Sequence, residues 1–134
     1  MKTPPQPAPT PAQLRRMARE WQRRLRLQDW QVEIAFDRSD EFFAQGCEGL
    51  CRMVTPRKMA FISILHPDDY AERETLDVEA TVVHELLHLF MVGFCADQNT
   101  EEDGLSHAEM AMEQATDAIA QALVAAHRAN HPGH

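Results

Sequence analysis

Near both ends of the chain, apolar side chains recur with the period of an α-helix. From about residue 12 to residue 28, apolar side chains recur every three or four positions with arginines between them, which predicts an amphipathic helix. From about His107 to Ala129 a second periodic segment predicts the last helix. Ser106, followed three residues later by Glu109, is a possible capping box at its start.

Three segments between these helices are predicted strands, and the first two have the two-residue alternation of half-buried strands. They are Trp30 to Phe36, Glu48 to Thr55 and Met59 to Leu65. The third is rich in β-branched and aromatic residues, which favour strands. The short TPRK link before it contains Pro56, which presets a turn, so the second and third strands are expected to form a hairpin. We therefore predict a three-stranded, mostly antiparallel sheet.

A helix that is apolar on nearly every side follows the strands. Either Asp69 or Thr75 could cap its start. Asp69 could form a capping box with Glu72. The helix is expected to run to Val92, with Gly93 as the C′ residue. The resulting order is one helix, three strands and two helices, which predicts an α+β domain.

The length of 134 residues, with 44% hydrophobic and 25% charged residues, fits one globular domain with a single core. We expect this domain at residues 12–130, after a proline-rich flexible tail at 1–11 and before a short tail at 131–134. No apolar run approaches the roughly 18 residues of a membrane helix. The N-terminus lacks the apolar segment of a secretory signal, so a cytoplasmic location is expected.

The net charge of −8 is unevenly distributed along the chain. Within the first 26 residues, Lys2 and the arginines of the first helix are opposed only by Glu20. The simplest interpretation is a solvated basic face, and a surface for nucleic acid is the alternative. Because the rest of the chain is acidic, nucleic acid is an unlikely partner. The three cysteines fit reduced thiols better than a disulfide framework; they are Cys47, Cys51 and Cys95.

Three ionisable side chains interrupt the apolar helix within the stretch TVVHELLHLF. His84 and His88 are four residues apart, so on a helix they share one face and can bind one cation. Glu85 projects beside such a cation, where it can take a proton from an attacking water. This H-E-x-x-H spacing is the zinc-peptidase arrangement. The alternative is a buried helix whose histidines bond to neighbouring groups, but burying these groups without a partner is costly.

A catalytic zinc site of this kind needs a third protein ligand. The longer pattern H-E-x-x-H-x-x-G-x-x-H is not continued here, so the last helix is the expected source. Glu113 is the preferred ligand, because Asp117 lies one turn beyond it and could accept the free N–H of a ligand histidine. Glu109 remains an alternative, and His107 is a weaker one.

The run HELLH, followed after a short loop by a helix containing EQATD, resembles a minimal gluzincin, a zinc metallopeptidase with two histidines and one glutamate. The leading helix, DWQVEIAF, MAFISI and VVHELLHL resemble small metallopeptidases of phages and prophages, and more distantly SprT-like and ImmA-like zincins. The resemblance covers about residues 12 to 129. It implies a zincin-like fold, a Zn²⁺ cofactor and a peptide or unstructured protein substrate that lies along Met59 to Leu65. It also implies the cytoplasm of a bacterial or phage-infected cell.

The expected function is therefore zinc-dependent hydrolysis of peptide bonds, with Glu85 as general base. The alternative is a zinc-stabilised binding or regulatory module without efficient turnover. Tyr70 or His66 could stabilise an oxyanion, although an exposed loop role is the simpler expectation. The histidines near the C-terminus predict only adventitious metal binding; they are His127, His131 and His134.

Overall fold

Three helices and three strands make up the fold of the residues that the structure describes. The computed structural model describes residues 8–38, 48–69, 77–95 and 107–131. In chain order the elements are α1 (Pro11–Arg24), β1 (Gln31–Asp37), β2 (Gly49–Val54), β3 (Met59–Leu65), α2 (Val78–Cys95) and α3 (His107–Asn130). Short 3₁₀ turns precede and follow β3, at Thr55–Arg57 and Pro67–Asp69. The predicted α+β class and element order are confirmed.

The first helix begins one residue earlier than its periodicity predicts. The Thr10 hydroxyl accepts the backbone N–H of Gln13 at 3.1 Å, and the Gln13 side chain accepts the backbone N–H of Thr10 at 2.8 Å. This capping box makes Pro11 the first helical residue, where its fixed φ and missing N–H are tolerated. Pro11 therefore belongs to α1 and not to the tail. The helix ends at Arg24, and Arg26 has a left-handed φ of 60°.

The three strands form one mixed sheet in the order β1-β3-β2. β3 pairs in parallel with β1 and antiparallel with β2, so Met59 lies opposite both Gln31 and Val54. The predicted hairpin of β2 and β3 is confirmed. The prediction of a mostly antiparallel sheet is wrong, because one of its two pairings is parallel. β3 is the central strand. It is almost wholly buried, whereas β1 alternates between more and less exposed positions.

The central position of β3 overturns a second expectation. Along Met59–Leu65 it pairs with β1 on one side, and from Met59 to Ile64 it pairs with β2 on the other. A strand with partners on both sides has no free row of N–H and C=O groups for an added peptide. The prediction that substrate lies along Met59–Leu65 is therefore wrong. In the sheet that the described residues form, β2 is an edge strand.

The hydrophobic core lies between the sheet and the helices. α1 packs on β1 and α2, and α2 packs on β2, β3 and α3. α2 is thus covered by the sheet and by helices, which explains why it is apolar on nearly every side. Its fully or almost fully buried apolar residues are Val82, Val83, Leu86, Leu87 and Leu89. α3 contributes a row of smaller buried side chains, Thr116, Ala120 and Val124.

The helix α2 begins later than the sequence predicts. Asp77 is its N-cap: the carboxylate accepts the backbone N–H of Ala80 at 3.1 Å. Asp69, one of the two predicted starts, lies in a 3₁₀ turn instead. Thr75, the other, lies outside the described residues, as does Glu72. The pattern missed Asp77 because Ala80, at the N3 position, cannot complete a capping box as glutamate or glutamine would.

The predicted end of α2 is wrong, and the predicted bounds of α3 are confirmed. Gly93 lies inside α2, which continues to Cys95, so its predicted role as the C′ residue is wrong. α3 runs from His107 to Asn130, which confirms the prediction from periodicity. Ser106, the predicted cap of α3, lies outside the described residues, as does the acidic segment 96–105. Across the ranges that the structure describes, no helix has the length and apolar character of a membrane span.

Candidate metal and catalytic centre

Two histidines of α2 meet one carboxylate of α3. His84 Nε2 lies 3.0 Å from Glu113 Oε2, and His88 Nε2 lies 3.0 Å from Glu113 Oε1. The two rings are one helical turn apart, with centroids separated by 5.2 Å. The packing of α3 on α2 therefore brings together the three side chains that the sequence analysis proposed as ligands.

Asp117 contacts the other ring nitrogen of His84. Its Oδ1 lies 3.4 Å from His84 Nδ1, and its Oδ2 accepts the side-chain N–H of Gln121 at 2.9 Å. The structure thus places Asp117 where the E-x-x-x-D spacing put it, one turn beyond Glu113. A carboxylate on Nδ1 favours the tautomer whose proton is on that nitrogen, which leaves the Nε2 lone pair for a metal. That role remains a prediction.

The two weaker ligand candidates are at the start of α3. Glu109 is half-buried one turn before Glu113, and His107 is exposed at the first residue of the helix. The 3.0 Å carboxylate contacts of both imidazoles are made by Glu113. The geometry therefore favours Glu113 among the candidates that α3 offers.

Glu85 is a buried carboxylate beside these ligands, with only 6% of its surface exposed. His88 Nε2 lies 3.9 Å from Glu85 Oε1, too far for a hydrogen bond. Within the described part of the chain, no donor is hydrogen-bonded to this carboxylate. Burial raises the pKa of Glu85 to about 7; His84 acts in the opposite direction and Glu113 adds to the rise. A buried carboxylate of this kind needs a partner.

The electrostatic surroundings of His88 favour its neutral ring. Burial lowers the pKa of His88, as does neighbouring His84, and the attraction of Glu113 does not fully compensate. Neutral imidazole is the form that binds metal ions. The surroundings of His88 are therefore suited to ligation.

Two carboxylates compete for the third ligand position. The ligand atoms of His84, Glu85 and His88 lie within 4.8 Å of one another, so these three residues of α2 could hold a metal ion by themselves. Glu113, however, approaches both rings to 3.0 Å, closer than the 3.9 Å between Glu85 and His88. By distance, Glu113 is the better candidate for the third position, with Glu85 beside it.

A cavity of about 780 Å³ opens next to these residues. Its size is in the range of small-molecule and substrate sites. One wall is a face of α2, the second is a face of α3, and the third is the start of β2. The lining includes Gly49, Thr81, His84, Glu85, Glu113 and Arg128.

Gly49 gives Glu85 the space that it occupies. A Cβ at this position would lie 2.9 Å from Thr81 Cγ2 and 3.0 Å from both Cγ and Oε2 of Glu85. The sequence analysis did not identify Gly49 as part of the site. The available signal was an isolated glycine within a strand pattern, which indicates a close approach of another group.

Gly49→Ala is expected to destabilise the protein by about 1–3 kcal/mol, because the added methyl group overpacks the contact between β2 and α2. It should also displace the Glu85 side chain. Urea denaturation measures the first effect. Val54→Ala, at an exposed position on the same strand, is the control and should change stability by no more than about 0.5 kcal/mol. Equal urea midpoints for wild type and Gly49→Ala would show that the clearance is not required.

His66 and Tyr70 are the two residues that the sequence analysis considered as oxyanion donors, and Cys51 is a cysteine close to Glu85. His66 packs against the ring of Phe36, and its Nδ1 accepts the backbone N–H of Asp68 at 3.2 Å. It does not line the cavity, so the structure gives no support for His66 as an oxyanion donor. Tyr70 lies outside the described residues. Cys51 is a free thiol whose pKa is raised to about 12, mainly by burial and further by Glu85, so it is unreactive.

The basic face of α1 and His131 are exposed, and His127 is half-buried. His134 lies outside the described residues. Arg24 lies over the Trp21 ring at 4.9 Å and pairs with Glu20 at 3.8 Å. The ring of His127 contacts Trp21, and that of His131 contacts His127. Three interpretations remain predictions: that the arginine face of α1 is simply solvated, that it binds nucleic acid, and that the C-terminal histidines bind metal adventitiously. Arg15, Arg16, Arg19 and Arg23 are the other exposed arginines of α1.

Comparison of the chain with protein-family models, with curated proteins and with solved structures finds no match. The predicted resemblance to gluzincins therefore remains a prediction from the sequence motifs. Fold and site together define an α+β protein with a histidine–glutamate–histidine group that could hold a metal ion.

Proposed function

We propose that this protein is a zinc-dependent metallopeptidase of the gluzincin kind. His84, His88 and Glu113 are the metal ligands, and Glu85 is the general base. One observation carries the proposal: two imidazole Nε2 atoms lie 3.0 Å from the two oxygens of one carboxylate, beside the buried Glu85. Two imidazoles and one carboxylate are a ligand set that Zn²⁺ takes in catalytic sites.

The residues fit a divalent cation better than they fit a metal-free polar cluster. In the metal-free interpretation, Glu113 alone would serve both imidazoles through hydrogen bonds. Glu85 would then remain buried, and the described residues supply it with no donor. A cation next to Glu85 would favour its ionised form and remove much of the cost of burying it.

The proposed reaction uses Glu85 to move one proton. A zinc ion, when bound, polarises the scissile carbonyl and lowers the pKa of the attacking water. Glu85 accepts the proton of that water and then donates it to the leaving amine. Without a metal, burial raises the pKa of Glu85 to about 7; a bound cation would lower it and favour the ionised carboxylate that accepts the proton. Gly49 leaves the carboxylate accessible to the cavity.

The proposed substrate is an extended peptide segment of an unstructured protein. β2 pairs with β3 along one side, and its first residue, Gly49, lines the cavity with Glu48. A peptide laid beside β2 would bond to its backbone and pass the catalytic residues. We therefore propose β2, and not the central β3, as the strand next to the substrate.

The test is a metal analysis of the purified protein, combined with cleavage of a denatured protein in the presence and absence of a chelator. The proposal requires one zinc per chain and cleavage that the chelator abolishes. One zinc per chain without cleavage would favour the alternative, a zinc-stabilised binding or regulatory module. The absence of stoichiometric zinc would overturn both.

Among the carboxylates of α3, Glu113→Ala is expected to reduce zinc affinity most, because it removes a ligand. Asp117→Ala should weaken binding by about 10–100-fold, the usual effect of losing a group that orients a ligand histidine. Glu109→Ala is the matched control and should bind zinc like wild type. Competition with a chromophoric chelator measures all three affinities. If Glu109→Ala is the damaging change, the assignment of Glu113 is wrong.

A further inference from the structure

Two polar junctions join α2 to α3, one at each end of the cavity. The first is the contact of Glu113 and Asp117 with the histidines. The second lies at the start of α2, where the guanidinium of Arg128 donates to both oxygens of Asp77, at 2.8 and 2.9 Å. Arg128 Nε also donates to Glu79 at 3.2 Å. Both Asp77 and Arg128 line the cavity.

The second junction also includes α1. Trp21 donates its indole N–H to Glu79 Oε2 at 2.9 Å, and Glu79 accepts from Arg128 through its other oxygen. Trp21 is buried, and its ring contacts that of His127 on α3. The last turns of α3 are therefore tied to the first turn of α2 and to the core face of α1.

Asp77 has two functions in this junction. Its carboxylate caps α2 through the N–H of Ala80 and also receives the fork of Arg128. Partial burial acts to raise the pKa of Asp77, but Arg128 and the backbone N–H groups outweigh it, so the pKa is lowered. The pair is therefore ionised at neutral pH, and its paired geometry is the strong form of an arginine–carboxylate contact.

The apolar contact between the two helices offers weaker control of their relative position. The buried residues of α3 are small, and Ala120 lies at the centre of the row that Thr116 and Val124 complete. Small side chains allow close approach but interdigitate less than large ones. A slip of α3 by one residue would move Glu113 by about 1.5 Å along the helix axis, enough to break its contacts with the histidines.

We propose that Arg128 is a positioning residue for the metal centre. By fixing the last turns of α3 against Asp77 and Glu79, it sets the register that places Glu113 between His84 and His88. Arg128 itself does not contact these ligands: Asp77, its partner, precedes His84 by seven residues, about 10 Å along the helix. This inference rests on the proposed metal site.

The main test is the zinc affinity of Arg128→Ala, measured by chelator competition on the full chain at a temperature where it is folded. The affinity is expected to fall by about 3- to 30-fold, the range for residues that act on a site through the structure. Arg128→Lys keeps the charge but not the paired geometry and should give an intermediate affinity. The absorption spectrum of bound Co²⁺ should also change in Arg128→Ala, since the third ligand is displaced.

Two controls separate positioning from general stability. Arg23→Ala removes an exposed arginine of α1 and should leave zinc affinity unchanged. Thr10→Ala removes the α1 cap and should lower stability without changing zinc affinity or the Co²⁺ spectrum. If Thr10→Ala and Arg128→Ala lose zinc affinity in proportion to lost stability, the inference is wrong.

A second variant covers the case in which Arg128→Ala does not fold. Asp77→Asn keeps an N-cap acceptor but removes the charge that Arg128 meets, so it should also weaken zinc binding. Wild-type zinc affinity in folded Arg128→Lys and Asp77→Asn would overturn the inference while leaving the metal site in place. A wild-type protein without stoichiometric zinc would overturn the proposed function, and the inference with it.

Discussion

Glu85→Gln is expected to reduce peptide hydrolysis by about 10²–10⁴-fold, the usual effect of removing a general base, while zinc content stays at the wild-type level. Glutamine keeps the size of the side chain and removes its basicity. Glu85 lies beside the ligands and makes no 3.0 Å contact of the kind that Glu113 makes with both rings. Its substitution should therefore affect the proton transfer and not the binding of the metal.

Protein stability provides an internal check on that experiment. Burial raises the pKa of Glu85, which means that its charged form is disfavoured in the fold. Replacing it with a neutral side chain of equal size should leave the metal-free protein at least as stable as wild type. A loss of activity in Glu85→Gln then cannot be attributed to unfolding.

The control for this variant is Glu33→Gln, at an exposed position on β1. It makes the same chemical change away from the cavity and should keep full activity. Equal activity in wild type and Glu85→Gln would mean that the cleavage comes from a contaminant or from another site. If neither protein cleaves a denatured substrate, the binding or regulatory module becomes the better explanation.

His84→Ala and His88→Ala are each expected to abolish stoichiometric zinc binding. Each removes one of three ligands, and the remaining two cannot complete a site of this kind. The variants should also melt at lower temperature than zinc-loaded wild type, because a ligand that binds only the native state stabilises it. At a free zinc concentration 100 times the Kd this contribution is about 2.7 kcal/mol. It corresponds to roughly 10 °C for a chain of this size.

Chelator treatment gives the matched comparison for the melting temperatures. Wild type in excess chelator should melt near the temperature of the two histidine variants, since all three then lack the metal. His131→Ala, at an exposed position after α3, should retain zinc and melt like wild type. Unchanged zinc content in both His84→Ala and His88→Ala would contradict the proposed site.

Local patterns in the sequence were sufficient for the elements and for the central motif. Periodicity predicted α3 closely, and the content of β-branched and aromatic residues predicted β3 from Met59 to Leu65. The i, i+4 spacing of His84 and His88 placed both rings on one face of a helix, as the structure has them. These features depend on residues close together in the chain, where backbone geometry alone fixes which side chains are neighbours.

The errors concern contacts between distant segments and backbone details that patterns do not encode. Alternation does not reveal which strands are neighbours, so the parallel pairing of β1 with β3 was missed. The available clue to the central position of β3 was its nearly continuous apolar run, MAFISIL, which is typical of a strand buried on both faces. Glycine commonly follows the end of a helix, which is why the pattern predicts an end at Gly93, but α2 continues past it. The role of Gly49 depends on the approach of Glu85 from another element.

The strand order β1-β3-β2 has a consequence for the order of events during synthesis. β1 leaves the ribosome first, but its partner in the sheet is β3, and Gln31 cannot pair until Met59 has been made. β2 and β3 are joined by a short turn, so they can pair as soon as both have emerged. In a growing chain the hairpin can therefore form first and offer its free β3 edge to β1. Until then, the apolar residues of β1 and α1 have no sheet to cover them.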